Sequence, residues 1–198
     1  MRIVLVRHGE TEWSASGRHT SYTDVELTDE GRRAAQALGE RLAGRRFALV
    51  LSSPRQRARV TCDLAGFGSR AQIDDDLVEW DYGEYEGLTT PQIRESVPGW
   101  TVWTHESPGG ETAAQVGERA DRVLARALDA GDDVALFAHG HLLRVLGARW
   151  IGLAPSGGAN LGLHTAALCE LGFERDTRVL WLWNDSAHLR VTPKTAAD

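Results

Sequence analysis

Short apolar runs alternate with segments of helical periodicity along most of this chain. Residues 3–6, 47–51 and 133–138 form continuous runs rich in Val, Leu and Phe, which is typical of parallel strands covered on both faces. Between them, apolar residues recur at intervals of three and four, most clearly over residues 111–129. The alternation predicts an α/β fold, a three-layer sandwich in which helices cover both faces of a mostly parallel central sheet.

Polar and turn-forming residues set the expected limits of several elements. Ser53 followed by Pro54 is typical of an N-cap and a first helical residue, and predicts a helix over residues 54–65. Residues 164–173 and 178–183 resemble two strands joined by a polar turn. We expect this pair to be antiparallel and to lie at one edge of the sheet.

Composition narrows the class of protein. The 198 residues are 42% hydrophobic and contain no repeat or linker, so we expect one domain over residues 1–198. A formal net charge of −6 argues against a general nucleic-acid partner. No apolar run reaches the length of a membrane span and no signal segment precedes the first strand, so we expect a cytoplasmic protein without a membrane partner. Cys62 and Cys169 lie in apolar segments without metal-ligand spacing, which predicts buried free thiols.

Chemically active residue types follow three of the predicted strands. Arg7 and His8 end the first run, Arg55 and Arg57 follow the second, and His139 follows the third. Because the carboxyl ends of parallel neighbours meet at one edge of a sheet, we expect these side chains in one crevice. The second and third segments also lead into helix N-termini, whose N–H groups and dipole favour an anion. Arginine binds phosphate bidentately and neutral imidazole is a nucleophile, so the pattern predicts phosphoryl chemistry on histidine.

Four segments, in the same order, resemble the motifs of the histidine phosphatase superfamily, which has the phosphoglycerate-mutase-like fold. They are LVRHGET over residues 5–11, SSPRQRA over 52–58, LVEWDYG over 77–83 and AHG over 138–140. The sequence EWDYGEYEGLTT over residues 79–90 is most similar to the actinobacterial acid phosphatase branch. The resemblance implies a single histidine phosphatase domain.

The resemblance also implies a role for five residues. His8 attacks phosphorus and forms a phosphohistidine, while Arg7, Arg57 and His139 hold the phosphate oxygens. Glu79 acts as general acid and then as general base. The arginines supply the positive charge, so we expect neither a cofactor nor a metal. The partner implied is a small-molecule phosphate monoester, and the sequence leaves open whether the chain forms a homo-oligomer.

Three arginines lie in the second segment, and spacing alone leaves Arg55, Arg57 and Arg59 open as phosphate ligands. The superfamily has its phosphate-binding arginine immediately before the position of Ala58, which implies this role for Arg57. Arg55 and Arg59 are then expected to be solvated or to lie at the rim.

Further substrate contacts are expected around the five central residues. The resemblance places Thr11, Thr20 and Ser21 in the loop that approaches substrate. Tyr82 adjoins the glutamate motif and Gly140 follows the second histidine, so both are expected at the pocket as well. His141 either touches substrate or caps the helix that begins there.

The segment after the glutamate motif bears on the type of reaction. Residues 88–110 form the expected lid, and within it residues 97–110, rich in Pro, Gly and Trp, predict a surface excursion. Mutases of the superfamily carry several cations in this region to hold a second phosphate, whereas here Arg94 is the one fixed cation. A cation-poor lid suits a monoester with an uncharged remainder, which favours a phosphomonoesterase similar to the acid phosphatases.

Three alternatives stand beside this interpretation. A cofactor-dependent phosphoglycerate mutase would transfer the phosphoryl group between hydroxyls instead of to water. Protein-phosphohistidine phosphatases are shorter and lack most of the lid, so residues 88–110 count against that activity. A non-catalytic member acting as a binding module would be expected to have lost pocket residues, and all five are present here.

Overall fold

A six-stranded sheet lies between two layers of helices in the computed structural model, which describes residues 1–189. The last residues of the expected domain, 190–198, lie outside the described residues. The strands are β1 (Arg2–Arg7), β2 (Leu49–Ser52), β3 (Gln72–Ile73), β4 (Val134–Ala138), β5 (Leu168–Glu174) and β6 (Thr177–Asp185). The helices are α1 (Glu12–Ala15), α2 (Asp29–Arg41), α3 (Gln56–Leu64), α4 (Thr90–Ser96), α5 (Ala113–Asp129) and α6 (Gly140–Trp150). No helix of these residues is long and apolar enough to cross a membrane.

The strands follow the order β3-β2-β4-β1-β5-β6 across the sheet. The first four are parallel to one another, while β5 runs antiparallel to both β1 and β6. The turn between β5 and β6 contains Arg175, whose φ of 55° closes a tight connection. The prediction of a mostly parallel sheet with an antiparallel edge is therefore confirmed.

Apolar side chains fill both faces of the sheet. In β1, Ile3 and Leu5 pack into a core that includes residues of α5 and α6, while Val4 and Val6 pack with residues of α2 and α3. All four side chains are at most 1% exposed, and burying such a side chain contributes about 1.5–3 kcal/mol. Burial on both sides explains why the strand is continuously apolar, and the predicted three-layer sandwich is confirmed.

Residues 97–110 form the predicted surface excursion only in part. Trp100 is 1% exposed and Val102 is 4% exposed, and both pack into the core on the side of α5 and α6. The Trp100 indole Nε1 donates a hydrogen bond to the carbonyl of Glu106 across 3.4 Å. The Pro and Gly positions of this segment are mostly exposed, as predicted, but Trp100 and Val102 anchor it in the core, so it is not a surface excursion throughout.

Helix α3 begins two residues later than predicted. Arg55 occupies the N-cap position and makes no side-chain cap hydrogen bond. Ser53 stays in the loop, where its hydroxyl accepts a hydrogen bond from the Arg55 N–H at 3.3 Å. This leaves the Ser53 side chain available to the site described below. The prediction of buried free thiols is confirmed, since Cys62 and Cys169 are both buried and unpaired.

The register of the sheet brings three strand ends together. Arg7 at the end of β1 lies opposite Ala138 at the end of β4, and the N–H of His8 donates to the Ala138 carbonyl at 3.0 Å. On the other side of β4, the N–H of Ser53 donates to the Phe137 carbonyl at 3.0 Å. The residues that follow the three strands therefore lie side by side.

Candidate active site

His8 lies at the carboxyl end of β1 and is 6% exposed. Its Nδ1 lies 2.7 Å from the carbonyl oxygen of Gly9. Since a carbonyl only accepts hydrogen bonds, Nδ1 must carry the proton, and Nε2 keeps its lone pair. Burial, and then the charges of Arg57 and Arg7, hold the pKa of His8 well below its usual value, although the Gly9 carbonyl opposes this. The imidazole is therefore neutral with Nε2 free to attack.

The guanidinium of Arg7 lies beside this imidazole. Its Nη1 donates to the carbonyl of Leu163 at 2.6 Å, while its Nε is buried and has no hydrogen-bond partner within residues 1–189. Burial lowers the pKa of Arg7 from its usual value and the charge of Glu79 opposes this, but a guanidinium stays charged in proteins. A charged side chain with an unpaired donor is suited to holding an anion.

Arg57 and His139 form a directly bonded pair behind His8. Both side chains are fully buried, and the Nε of Arg57 donates to Nδ1 of His139 at 3.1 Å. The Nε2 of His139 lies 2.8 Å from the hydroxyl of Ser53. The rings of His8 and His139 meet edge to face, with their centroids 5.2 Å apart.

The remaining nitrogens of Arg57 hold the loop that precedes α2. Nη1 donates to the carbonyl of Thr23 at 3.0 Å, and Nη2 donates to the carbonyls of Thr20 and Ser21 at 3.2 and 3.1 Å. From the other side, the Glu86 carboxylate accepts the N–H groups of Ser21 and Thr23 at 2.8–3.0 Å. The loop is thus fixed between one cation and one anion, and the sequence motifs gave no signal for this role of Glu86.

Glu79 lies at the N-terminus of α6 and is 6% exposed. Its Oε1 accepts the N–H groups of Trp80 and Leu142, and its Oε2 accepts the N–H of His141, each at 2.9 Å. A carboxylate oxygen has two lone pairs, so Oε1 is fully used and Oε2 keeps one. Oε2 is therefore the atom of Glu79 that can hold a proton.

Protein carboxylates occupy both helix N-termini that were expected to hold a substrate anion. Glu79 takes this place at α6, and at α3 the N–H of Gln56 donates to the carboxylate of Asp24 at 2.9 Å. The N–H groups of Gln56, His141 and Leu142 are therefore not free to bind a substrate anion in this structure. The dipole argument holds, because each helix end does attract an anion, but the anion comes from the same chain.

A cavity of about 170 Å³ opens above His8 and Arg7. Three of the predicted substrate contacts, Thr20, Tyr82 and Gly140, line it. A Cβ at Gly140 would lie 3.2 Å from Cζ of Arg7, so glycine lets the Arg7 guanidinium lie close to the start of α6. Arg57, His139 and Glu79 do not line the cavity; they lie behind its wall with their polar atoms bonded as described.

Two predicted contacts lie elsewhere. Thr11 is 1% exposed, and its hydroxyl accepts the N–H of Ser14 at 3.1 Å as the N-cap of α1. Ser21 is 2% exposed, and its hydroxyl donates to the carbonyl of Glu79 at 3.3 Å. In this structure each hydroxyl serves the local backbone, so a substrate contact by Thr11 or Ser21 stays a prediction.

Several lining residues carry no motif signal in the sequence. His19 lies in the cavity wall with its Nε2 3.2 Å from the hydroxyl of Thr90, and burial lowers the pKa of His19 to about 4. His141, which the sequence left open as a substrate contact or a helix cap, also lines the wall; its side chain does not cap α6, and its Nδ1 is hydrogen-bonded to the Tyr82 hydroxyl at 2.6 Å. Burial lowers the pKa of His141 well below its usual value. The remaining unpredicted lining residues are Ser14, Gly17, Arg18, Arg144 and Leu163.

Two glycines fix the loop that carries His8. A Cβ on Gly9 would overlap the carbonyl of Gly31 in α2, and a Cβ on Gly31 would overlap the carbonyl of Glu10. The N–H of Gly9 donates to the hydroxyl of Thr61 at 2.9 Å. Only a glycine pair allows the two backbones to approach this closely. Gly31 lies inside a helical pattern, so the sequence alone gave no indication of this function.

The strand ends of the parallel sheet bring two histidines and two arginines together, with a helix-capping glutamate beside them. This arrangement defines an α/β enzyme of phosphoryl chemistry. The family model of the histidine phosphatase superfamily (branch 1) matches residues 3–186. The chain belongs to this superfamily, and it is an enzyme that hydrolyses phosphate esters.

Curated relatives include both phosphatases and mutases. An acid phosphatase of Mycobacterium tuberculosis is 46% identical over 191 residues, covering 94% of this chain and 94% of the relative. The sedoheptulose 1,7-bisphosphatase of Saccharomyces cerevisiae is 38% identical, over 77% of this chain and 68% of the relative. A 2,3-bisphosphoglycerate-dependent phosphoglycerate mutase of Brucella anthropi is 35% identical, over 77% and 82%.

Solved structures agree with the fold. A Mycobacterium tuberculosis protein with 46% identity superimposes with a TM-score of 0.88, covering 92% of this chain and 96% of that chain. A mycobacterial glucosyl-3-phosphoglycerate phosphatase in complex with VO3 is 31% identical, with a TM-score of 0.83 over 93% and 99%. The phosphoglycerate-mutase-like fold implied by the four sequence motifs is confirmed.

Proposed function

We propose that the chain is an acid phosphatase-like phosphomonoesterase that hydrolyses small phosphate monoesters through a phosphohistidine on His8. The observation that carries this proposal is the hydrogen bond between Nδ1 of His8 and the Gly9 carbonyl at 2.7 Å. It directs the lone pair to Nε2 and also supports the positive charge that the ring acquires when Nε2 is phosphorylated. Arg7, with its unpaired Nε, lies next to this nucleophile at the base of the cavity.

In the first step, Nε2 of His8 bonds to phosphorus while the bond from phosphorus to the ester oxygen breaks. Arg7 holds the transferring group from the cavity side. Arg57 and His139 bind its oxygens when their donors exchange the loop carbonyls and the Ser53 hydroxyl for phosphate oxygens. In the second step, a water oxygen bonds to phosphorus, and the bond from phosphorus to Nε2 breaks.

Glu79 moves the proton in both steps. Its Oε2, which keeps one lone pair, gives a proton to the departing alkoxide and then takes a proton from the attacking water. The N–H of His141, which contacts the same oxygen, belongs to a residue of the cavity wall. This contact fixes Oε2 beside the backbone of a residue that lines the cavity.

The proposal is tested by trapping the covalent intermediate. The protein is mixed with an aryl phosphate that is isotopically labelled at phosphorus, and the reaction is quenched in alkali. The protein should then carry a label that is lost in acid, because a phosphohistidine is a phosphoramidate. His8→Ala should carry no label and should release no phosphate, while the exposed His105→Ala, as control, should behave like the unchanged protein. Full labelling of His8→Ala would exclude His8 as the nucleophile.

A second candidate function is phosphoglycerate mutase activity. It is favoured by the similarity to the Brucella anthropi mutase and by the arginines Arg18 and Arg144, which line the cavity outside the lid. Initial rates with 3-phosphoglycerate distinguish the two functions. A phosphatase releases phosphate faster than it forms 2-phosphoglycerate, whereas a mutase shows the reverse.

We also infer that the enzyme acts in the cytoplasm. Cys62 and Cys169 are buried free thiols, which is typical of a reducing compartment. Fractionation of cells that produce the full chain should place the phosphatase activity with cytoplasmic marker enzymes. Recovery with an extracytoplasmic marker would contradict this location.

A further inference from the structure

Two arginines that the proposed chemistry does not use lie in the wall of the cavity above His8. Arg18 belongs to the loop after α1, and Arg144 belongs to α6. None of the residues that line this cavity is an aspartate or a glutamate, although the whole chain has a net charge of −6. The cavity is therefore cationic in an otherwise acidic protein.

Arg144 is held rigidly without being neutralised. Its Nε donates to the carbonyl of Gly158 at 3.0 Å, its Nη2 donates to the carbonyl of Ala159 at 3.1 Å, and its guanidinium lies 4.5 Å from the ring centre of Trp103. Nη1 makes no hydrogen bond to any other part of residues 1–189. Carbonyls and an aromatic face fix the orientation of a guanidinium without forming an ion pair, and the Glu79 carboxylate acts on the Arg144 charge only from beyond ion-pair distance.

Arg18 is exposed but its backbone is fixed. It pairs with Thr89 in an isolated antiparallel bridge, and its N–H donates to the carbonyl of Trp13 at 2.9 Å. Its guanidinium lies 5.8 Å from the Trp13 ring centre. A long side chain on a fixed backbone at the edge of the cavity can reach a group bound inside it.

Neither arginine forms an ion pair with any carboxylate of residues 1–189, and the same holds for Arg7. Elsewhere in these residues seven arginines do form ion pairs: Arg33, Arg41, Arg45, Arg119, Arg122, Arg126 and Arg149. Three guanidinium groups around one cavity whose lining has no carboxylate create a positive potential there, which favours the binding of an anion. Arg7 serves the transferring phosphate, which leaves two cations for another anionic group.

We propose that Arg18 and Arg144 form a subsite for a second anionic group of the substrate, either a carboxylate or a second phosphate on the same molecule. This inference rests on the proposed phosphatase function and defines its substrate class. It replaces the expectation of an uncharged remainder, which considered only the cations of the lid. Arg94, the one cation of that segment, does not line the cavity.

Three esters of one three-carbon chain test the subsite. Glycerol 3-phosphate has no second anion, 3-phosphoglycerate adds a carboxylate, and glycerol 1,3-bisphosphate adds a phosphate. The ratio of kcat/KM for each dianionic ester to that for glycerol 3-phosphate measures the preference for a second anion, and a preference for only one of the two identifies its chemistry. We expect Arg18→Gln to reduce this ratio about tenfold, the size of one charge-assisted hydrogen bond.

A matched control removes a cation elsewhere. Arg33 is exposed on α2, so Arg33→Gln should leave the ratio unchanged. Arg144→Gln should also reduce the ratio. Because Arg144 packs on Trp103, the melting temperature of this variant is measured as well. If Arg144→Gln does not fold, Arg18→Gln alone tests the subsite. A wild-type ratio near one, or a ratio unchanged in Arg18→Gln, would overturn the proposal.

Binding to His8→Ala separates failure of the subsite from failure of the phosphatase function. This protein cannot form a phosphohistidine, so calorimetry with 3-phosphoglycerate and with glycerol 3-phosphate measures recognition without turnover. The subsite is supported if His8→Ala binds 3-phosphoglycerate more tightly than glycerol 3-phosphate and if this difference shrinks in the double variant His8→Ala, Arg18→Gln. This conclusion holds even if the wild-type chain hydrolyses neither ester. Equal affinities for the two esters would contradict the subsite whatever the activity.

Discussion

The Nε of Arg57 donates to Nδ1 of His139 across 3.1 Å, and this contact determines where His139 carries its proton. Because Nδ1 accepts a hydrogen bond, the proton of the neutral ring is on Nε2, which lies 2.8 Å from the Ser53 hydroxyl. Burial, and then the charge of Arg57, hold the pKa of His139 well below its usual value. His139 is therefore a neutral donor aimed by an arginine.

Replacing Arg57 with lysine tests whether catalysis needs the planar geometry of the guanidinium or only its positive charge. Arg57→Lys keeps the positive charge but removes the planar fork that bonds His139 and the loop carbonyls together. We expect kcat/KM for an aryl phosphate to fall by about 100-fold or more, the range seen when one oriented donor is lost. Arg59→Lys, on the exposed side of the same helix, is the control and should keep the wild-type rate. Wild-type rates in Arg57→Lys would show that a point charge is sufficient.

Glu79→Gln should separate substrates by their leaving groups. An alkoxide needs a proton to depart, whereas an aryl oxide does not, so we expect a loss of about 100-fold or more on glycerol 3-phosphate and a smaller loss on p-nitrophenyl phosphate. The carboxylate accepts three N–H groups, so the amide NH2 of glutamine must face at least one donor and the melting temperature should fall. Glu84→Gln, an exposed change in the same segment, is the control. Equal losses on both esters would argue against the role of general acid.

The residues that the sequence predicted best are those that end or follow strands. Apolar runs identified β1, β2 and β4, and the rule that parallel strands end at one edge correctly placed His8 beside His139. Register explains this success, since residues that follow neighbouring strands must lie side by side whatever the loops do.

The residues that the sequence missed depend on contacts through space. Arg18 and Arg144 come from a loop and from the middle of a helix, and neither position has a periodic or motif signal. Asp24 and Glu79 cap helices that begin far away in the sequence, so a reading of local capping patterns could not find them. Such contacts exist only once the elements have packed.

Gly31→Ala should destabilise the protein and disable the site together. Its new Cβ would overlap the backbone of Glu10 and push the loop of His8 away from α2. We expect the free energy of unfolding to fall by about 1–3 kcal/mol, the usual effect of overpacking, and kcat/KM to fall further than stability alone explains. Gly162→Ala is the control, since a Cβ there meets nothing within 4 Å. Both quantities are measured by urea unfolding and initial rates, and a wild-type result for Gly31→Ala would mean that the backbone relaxes freely.

Four buried imidazoles make the folded state sensitive to acid. The pKa values of His8, His19, His139 and His141 are all lowered in the folded chain. The unfolded chain therefore binds more protons as pH falls below about 6.5, and the free energy of unfolding must decrease with decreasing pH. Each such group contributes at most about 1.4 kcal/mol per pH unit.

His19 offers the sharpest measurement of this effect. Because the pKa of His19 is about 4 in the folded chain, its contribution to the free energy of unfolding is complete above the pKa that His19 has in the unfolded chain. This contribution declines as the pH falls and levels off below about pH 4. His19→Gln should therefore lose less stability than the wild-type chain between pH 7 and pH 5, by at most about 2 kcal/mol, when urea unfolding is compared at the two pH values. The exposed His105→Gln should follow the wild-type chain. An identical pH dependence in His19→Gln and the wild type would show that the folded chain protonates His19 as readily as the unfolded chain does.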